Sequence, residues 1–121
     1  MTYTNSGGVV TVDANLTNAY SGNRSSILSW TRNLVFAGNK LTVHDVCTVA
    51  AGVKPIFQLQ VPAQPVAQMD GSIVAGHLRI VPLMAVTPTF TANPGPEFST
   101  SYRIDLAIAS GCEFNIELWA Q

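Results

Sequence analysis

The chain has 121 residues, the length of one domain, and is long enough to bury a core without metal ions or a disulfide framework. Hydrophobic residues make up 47% of it, which excludes a disordered tail, while only 11% of the residues are charged. Six basic and seven acidic residues give a net charge of -1, so the chain cannot build the basic face that nucleic acids require. We expect no nucleic-acid partner.

The N-terminal residues MTYTNSGG contain neither a basic region nor an apolar run, so they do not have the pattern of a secretory signal. No apolar stretch approaches the ~20 residues that cross a bilayer, and we expect no membrane contact. The chain enters a strand pattern almost at once, as if it were joined within a larger protein. We therefore favour an excised piece over a complete cytosolic protein.

Apolar residues recur with a period of two along the chain, and no helical period is present. This pattern predicts an all-β protein, an antiparallel β-sandwich of roughly 8–10 short strands in a single domain over residues 1–121. The Pro-rich stretch Thr87–Ser101 is predicted to be one long loop. The predicted strands are Val9–Asn15, Ile27–Phe36, Leu41–Val49, Pro55–Val61, Val66–Met69, Ser72–Ala75 and His77–Ala85, with two more near the C-terminus.

The second and third predicted strands form a hairpin whose register can be derived. A type II′ turn at Gly38-Asn39 sets Arg32 opposite Asp45 on otherwise apolar faces. The same register places Trp30 opposite Cys47 and Leu28 opposite Val49. The Arg32–Asp45 pair could bind substrate charge at a sheet edge, but we favour a buried structural pair that fixes the register.

The two C-terminal strands are also predicted to form a hairpin, with Ala109-Ser110-Gly111 as a three-residue loop. This register pairs Ile108 with Cys112, Leu106 with Phe114, Ile104 with Ile116 and Arg103 with Glu117. The alternative register, shifted by two residues, is disfavoured because it sets Asp105 against Glu117.

The sequence carries no motif for catalysis or metal binding. In the cluster His44-Asp45-x-Cys47, His44 faces away from the other two side chains, so we expect no metal and no cofactor, and an exposed His44 on a polar sheet face. Cys47 and Cys112 could form a disulfide, although buried free thiols are favoured. Tyr20 beside Arg24, and the outward-facing Trp119, are the candidate carbohydrate contacts.

Three short motifs resemble the β-sandwich region of heparinase II/III-like polysaccharide lyases. They are Asp13 with Thr17 and Ala19-Tyr20, then Arg32-x-Leu34-x-Phe36, then Leu41-x-Val43-x-Asp45, and the resemblance is best over residues 9–61. Members of this family join an α/α toroid to the sandwich and cleave uronic-acid polysaccharides by β-elimination. The catalytic Tyr and His of the family have no matching positions here.

The resemblance implies that residues 1–121 are the latter, supporting part of such a sandwich and are not catalytic alone. The implied partners are the missing toroid and, through the parent protein, a polysaccharide, with a periplasmic or secreted location. The alternatives are an independent carbohydrate-binding or adhesin-like module and a small standalone enzyme. An exposed apolar patch or an unpaired strand edge would favour the supporting part of a lyase. An exposed aromatic platform would favour the carbohydrate-binding module, and a cleft lined by ionisable groups would favour the standalone enzyme.

Overall fold

The computed structural model describes residues 1–98 and 101–121, which form two antiparallel β-sheets. This confirms the predicted all-β sandwich, with eleven strands in the described residues. Two short 3-10 helices cover Thr17–Asn23 and Pro96–Phe98. The strands are β1 (Thr2–Ser6), β2 (Val9–Asn15), β3 (Ile27–Ala37), β4 (Lys40–Val49), β5 (Ile56–Val61), β6 (Pro65–Ala67), β7 (Ile73–Ala75), β8 (Leu78–Pro82), β9 (Thr87–Ala92), β10 (Tyr102–Ala107) and β11 (Glu113–Ala120).

The two sheets differ greatly in width. The larger sheet has eight strands in the order β1-β2-β3-β4-β11-β8-β7-β6, and the smaller sheet has three in the order β5-β10-β9. No helix among the described residues has the length and apolar character needed to cross a membrane.

The core lies between the two sheets and consists of apolar side chains from alternate strand positions. Burying each large one contributes about 1.5–3 kcal/mol, so these residues supply most of the drive to stack the sheets. The larger sheet contributes Trp30, Val43, Ile73, Ala75, Ile80, Phe114 and Ile116, and the smaller sheet contributes Phe57, Val61, Ile104 and Leu106.

The β3–β4 hairpin has the predicted register over most of its length. Arg32 lies opposite Asp45, and Trp30 lies opposite Cys47. Gly38 has a φ of 61°, which a type II′ turn requires at its first central position. The predicted Leu28–Val49 pair is wrong, because an irregularity at the start of β3 sets Ile27 opposite Val49 and leaves Leu28 exposed.

The predicted C-terminal hairpin is also wrong. β10 belongs to the smaller sheet, between β5 and β9, whereas β11 lies in the larger sheet between β4 and β8. The chain therefore crosses from one sheet to the other between these strands. The sequence analysis paired the apolar faces of these two strands within one sheet. Both faces instead contribute side chains, such as Leu106 and Phe114, to the core between the sheets.

The structure contains two strands that the sequence analysis did not predict. β9 occupies the first part of the predicted loop Thr87–Ser101, whose residues 99–100 lie outside the described part of the chain. Its Pro88 is tolerated because β9 is an edge strand, where a missing backbone N–H need not break a ladder. β1 has no alternation of apolar residues and pairs with β2 along the edge of the larger sheet.

Cys47 and Cys112 form a disulfide, so the preference for free thiols is wrong. The disulfide lies along the larger sheet rather than across the sandwich, because Cys112 immediately precedes β11, the neighbour of β4. The backbone N–H of Cys47 donates to the carbonyl of Cys112 at 2.8 Å. The disulfide joins β4 to the residue that precedes β11, two segments separated by 65 positions in sequence.

Candidate functional site

A buried polar cluster of Trp30, Arg32 and Asp45 lies on the inner face of the larger sheet. Asp45 is fully buried, and its carboxylate accepts hydrogen bonds from Nε and Nη2 of Arg32, each at 2.6 Å. The indole N–H of Trp30 donates to Oδ2 of the same carboxylate at 2.9 Å. The guanidinium also lies 5.5 Å from the ring centroid of Phe57 in the smaller sheet. The cluster therefore links β3, β4 and the opposite sheet.

The hydrogen bonds to Asp45 raise the pKa of Arg32 above its usual value, against an opposing effect of burial. The guanidinium is consequently charged at any ordinary pH and is committed to Asp45. Its side chain is 32% exposed, so the cluster opens to solvent only through Arg32. This arrangement fits the structural pair of the sequence analysis, whereas a substrate carboxylate would have to displace Asp45.

The smaller sheet leaves part of the larger sheet's inner face uncovered. Going from the centre to the edge, one row of directly opposite residues runs Ile116, Val43, Leu34, Val12 and Tyr3. Ile116 is 0% exposed and Val43 is 4% exposed, whereas Tyr3 at the edge is 63% exposed. The exposure of this row therefore grows toward β1.

A second row, next to the first, shows the same uncovered region. It runs through Leu118, Leu41, Phe36 and Val10, and Phe36 is 49% exposed although it faces the core side of the sheet. We call the residues Tyr3, Val10, Val12, Leu34, Phe36 and Leu41 the uncovered inner face. Tyr3 and Phe36 are its exposed members, whereas the other four are half-buried, and Leu34 and Leu41 pack partly against the core. This surface extends to β1, and the outer backbone edge of β1 has no neighbouring strand among the described residues.

The outer face of the larger sheet is mostly polar, with Val46 exposed among its polar side chains. Nδ2 of Asn33 donates to Oδ1 of Asp13 at 2.7 Å, and Nε2 of His44 lies 2.8 Å from Oε1 of Glu113. His44 lies opposite Asn33 and, as predicted, points away from Asp45. No group of three or more His, Cys, Asp or Glu side chains in the described residues could hold a metal ion.

Trp119 lies at one end of this outer face and is half-buried. The ammonium of Lys40 lies 5.1 Å from its ring centroid, and its indole N–H donates to Oε2 of Glu117 at 2.9 Å. A surface depression of about 340 Å³ is lined by Trp119 together with Arg79, Val81, Asn39 and the last two residues. Trp119 is therefore a carbohydrate candidate of the sequence analysis that lies beside a depression.

The other two carbohydrate candidates lie apart from Trp119. Tyr20 is half-buried in the first 3-10 helix, and its ring centroid lies 5.4 Å from that of the core residue Trp30. Arg24 is exposed just after that helix. Part of the Tyr20 ring is thus engaged in packing.

Sequence reasoning missed Tyr3 and did not single out Phe36 as exposed. Phe36 has the phase of a core residue, and alternation cannot show where the covering sheet ends. Tyr3 lies in a strand of five residues that are all exposed. The only indication of an uncovered surface in the sequence is the excess of apolar residues in β2 and β3.

In comparisons with known proteins, no protein-family model and no curated protein matches the chain.

Proposed function

We propose that this domain is the non-catalytic supporting sandwich of a heparinase II/III-like polysaccharide lyase. In this proposal the uncovered inner face packs against the helical domain of the parent protein. The observation that supports it most is the exposure of Tyr3 and Phe36 on the core side of a sheet. Clustered apolar side chains of this kind mark surfaces that another protein segment covers.

The positions of the resembling motifs support the same proposal. They fall on β2, β3 and β4, which are neighbours in the larger sheet, and on the helix between β2 and β3. Arg32 and Asp45 from two of these motifs form the buried pair, and Phe36 from one of them lies on the uncovered inner face. The motifs thus belong to the part of the fold that both stabilises the hairpin and presents the proposed docking surface.

We assign the chemistry to the rest of the parent protein. β-Elimination needs a base that removes the proton beside the carboxylate and a group that neutralises this carboxylate. In the described residues Arg32 is committed to Asp45, Lys40 contacts Glu117 at 3.2 Å, and His44 contacts Glu113. These pairings support a structural role for Arg32, Lys40 and His44.

The proposal includes a periplasmic or secreted location for the parent protein. Disulfides persist mainly in oxidising compartments, and the Cys47–Cys112 bond supports such a compartment. A domain with few charged residues and a polar uncharged surface also fits this setting.

The test is to express the complete reading frame that contains this sequence and to assay it on uronic-acid polysaccharides. We expect a helical domain in that reading frame and a rise in unsaturated-uronate absorbance, with no rise from residues 1–121 alone. Phe36→Asp should reduce the activity of the complete protein by about tenfold or more, because a charge would be buried at the domain contact.

Leu28→Asp is the matched control, since Leu28 is similarly exposed and lies near the other end of β3. It should leave the activity unchanged. A reading frame without a helical domain, or full activity of the Phe36 variant, would contradict the proposal.

The second candidate function is an independent carbohydrate-binding or adhesin-like module. The depression beside Trp119 favours it, because an aromatic side chain there is accompanied by polar groups. Glycan binding by residues 1–121 alone would support this candidate.

A further inference from the structure

We propose that the depression beside Trp119 binds a neutral, hydroxyl-rich saccharide through stacking on the indole ring. Trp119 lies on the outer face of the larger sheet, opposite to the uncovered inner face. This inference therefore specifies the second candidate function and does not depend on the docking proposal.

The strand register places Trp119 between two cations. Lys40 of β4 is its direct neighbour on one side, and Arg79 of β8 is its direct neighbour on the other. The depression of about 340 Å³ is lined by Trp119, Arg79 and Val81. The indole and Val81 provide apolar surface for the C–H groups of a sugar ring, and Arg79 provides N–H donors for its hydroxyl groups.

The contacts of the indole hold it in a fixed orientation. Its N–H donates to the carboxylate of Glu117, and this carboxylate also accepts a hydrogen bond from the ammonium of Lys40 at 3.2 Å. Lys40 also lies near the indole ring, 5.1 Å from its centroid. A ring held on several sides loses little conformational entropy when a ligand stacks on it, which favours binding to a preformed site.

The charges around Trp119 favour a neutral ligand over an anionic one. Lys40 pairs with Glu117, and Arg79 pairs with Asp70. Asp70 accepts further hydrogen bonds from the hydroxyl and the backbone N–H of Ser72, at 2.6 Å and 3.0 Å. An anionic sugar would have to compete with these carboxylates, whereas hydroxyl groups can share the existing donors and acceptors.

The experiment uses the two tryptophans of the chain as internal reporters. Residues 1–121 labelled with ¹⁵N are titrated with neutral tetrasaccharides of β-1,4-linked glucose, mannose and xylose and of α-1,4-linked glucose, and with a uronic-acid tetrasaccharide. We expect at least one neutral tetrasaccharide to shift the Trp119 indole N–H resonance in a saturable manner. The Trp30 indole is buried and donates a hydrogen bond to Asp45, so its N–H resonance should not shift.

Two Trp119 variants and a change in salt concentration test whether the saccharide stacks on the indole and whether it binds without ion pairs. Trp119→Ala should weaken binding at least tenfold, and Trp119→Phe, which retains an aromatic face, should weaken it less. Raising NaCl from about 0.05 M to about 0.5 M should change the Kd less than twofold, because a neutral ligand makes no screened ion pair.

Three results would overturn the inference. The first is that none of the neutral tetrasaccharides shifts the Trp119 resonance, a result that needs no variant to fold. The second is that binding survives Trp119→Ala. The third is tighter, salt-sensitive binding of the uronic-acid tetrasaccharide, which would show that the ligand class is wrong.

Discussion

Asp45 is a fully buried carboxylate that accepts hydrogen bonds from two side chains, Arg32 and Trp30. A buried ion pair of this kind adds little net stability over a well-packed apolar pair, because both charges lose hydration. The pair instead determines the register of the β3–β4 hairpin. A hairpin shifted by one residue would place the two charges on opposite faces of the sheet and so separate them.

Arg32→Ala should therefore lower the free energy of unfolding by about 3–5 kcal/mol, because it leaves the Asp45 carboxylate buried without its cation. Arg79→Ala is the control, since its ion pair with Asp70 is exposed and contributes only about 0–1 kcal/mol. Urea unfolding of both variants measures the difference. Equal losses in the two variants would contradict the structural role of Arg32.

The pH dependence of this pair follows from the direction of the pKa shift. The pKa of Arg32 is raised above its ordinary value in the folded chain, chiefly by its hydrogen bonds to Asp45. The corresponding stability is fully present below that value and is lost only as pH rises through the higher folded value. Deprotonation of Arg32 thus does not limit stability at any ordinary pH.

At the scale of the strands, the local hairpin could be derived and the long-range pairing could not. Arg32 and Asp45 each interrupt an apolar face, so the β3–β4 register had a unique solution. β10 and β11 lack such a marker, and their apolar faces fit equally well side by side or stacked across the core. The β9 strand was missed because Pro88 is an argument against a strand except at an edge.

The turn between β3 and β4 gives a prediction at this scale. Gly38→Ala should destabilise the domain by about 1–2 kcal/mol, because Gly38 has a φ of 61° and an added Cβ disfavours this backbone conformation. Steric crowding cannot explain such a loss, since no atom lies within 4 Å of the added Cβ. Thermal unfolding measures the effect.

Gly22→Ala is the matched control, because its φ is not in the left-handed region and its added Cβ also meets no atom within 4 Å. It should leave the unfolding temperature unchanged or raise it slightly. A similar loss in both variants would show that the Gly38 turn does not require its positive φ.

At the scale of the molecule, a sheet of eight strands faces a sheet of three. The sequence predicted two stacked sheets from its alternation, but alternation gives no information about how far one sheet extends over the other. Trp119 was identified because it was out of phase with its neighbours. Tyr3 and Phe36 gave no such signal, since only the width of the smaller sheet determines their exposure.

The central proposal is that the uncovered inner face packs against another domain of a larger parent protein. Hydroxyl-radical footprinting of residues 1–121 alone and within the complete protein tests this directly, with oxidation of Tyr3 and Phe36 measured against that of exposed Met69. We predict at least about tenfold protection of both aromatic residues in the complete protein, with Met69 unchanged. Equal oxidation of Tyr3 and Phe36 in the two forms would contradict the account.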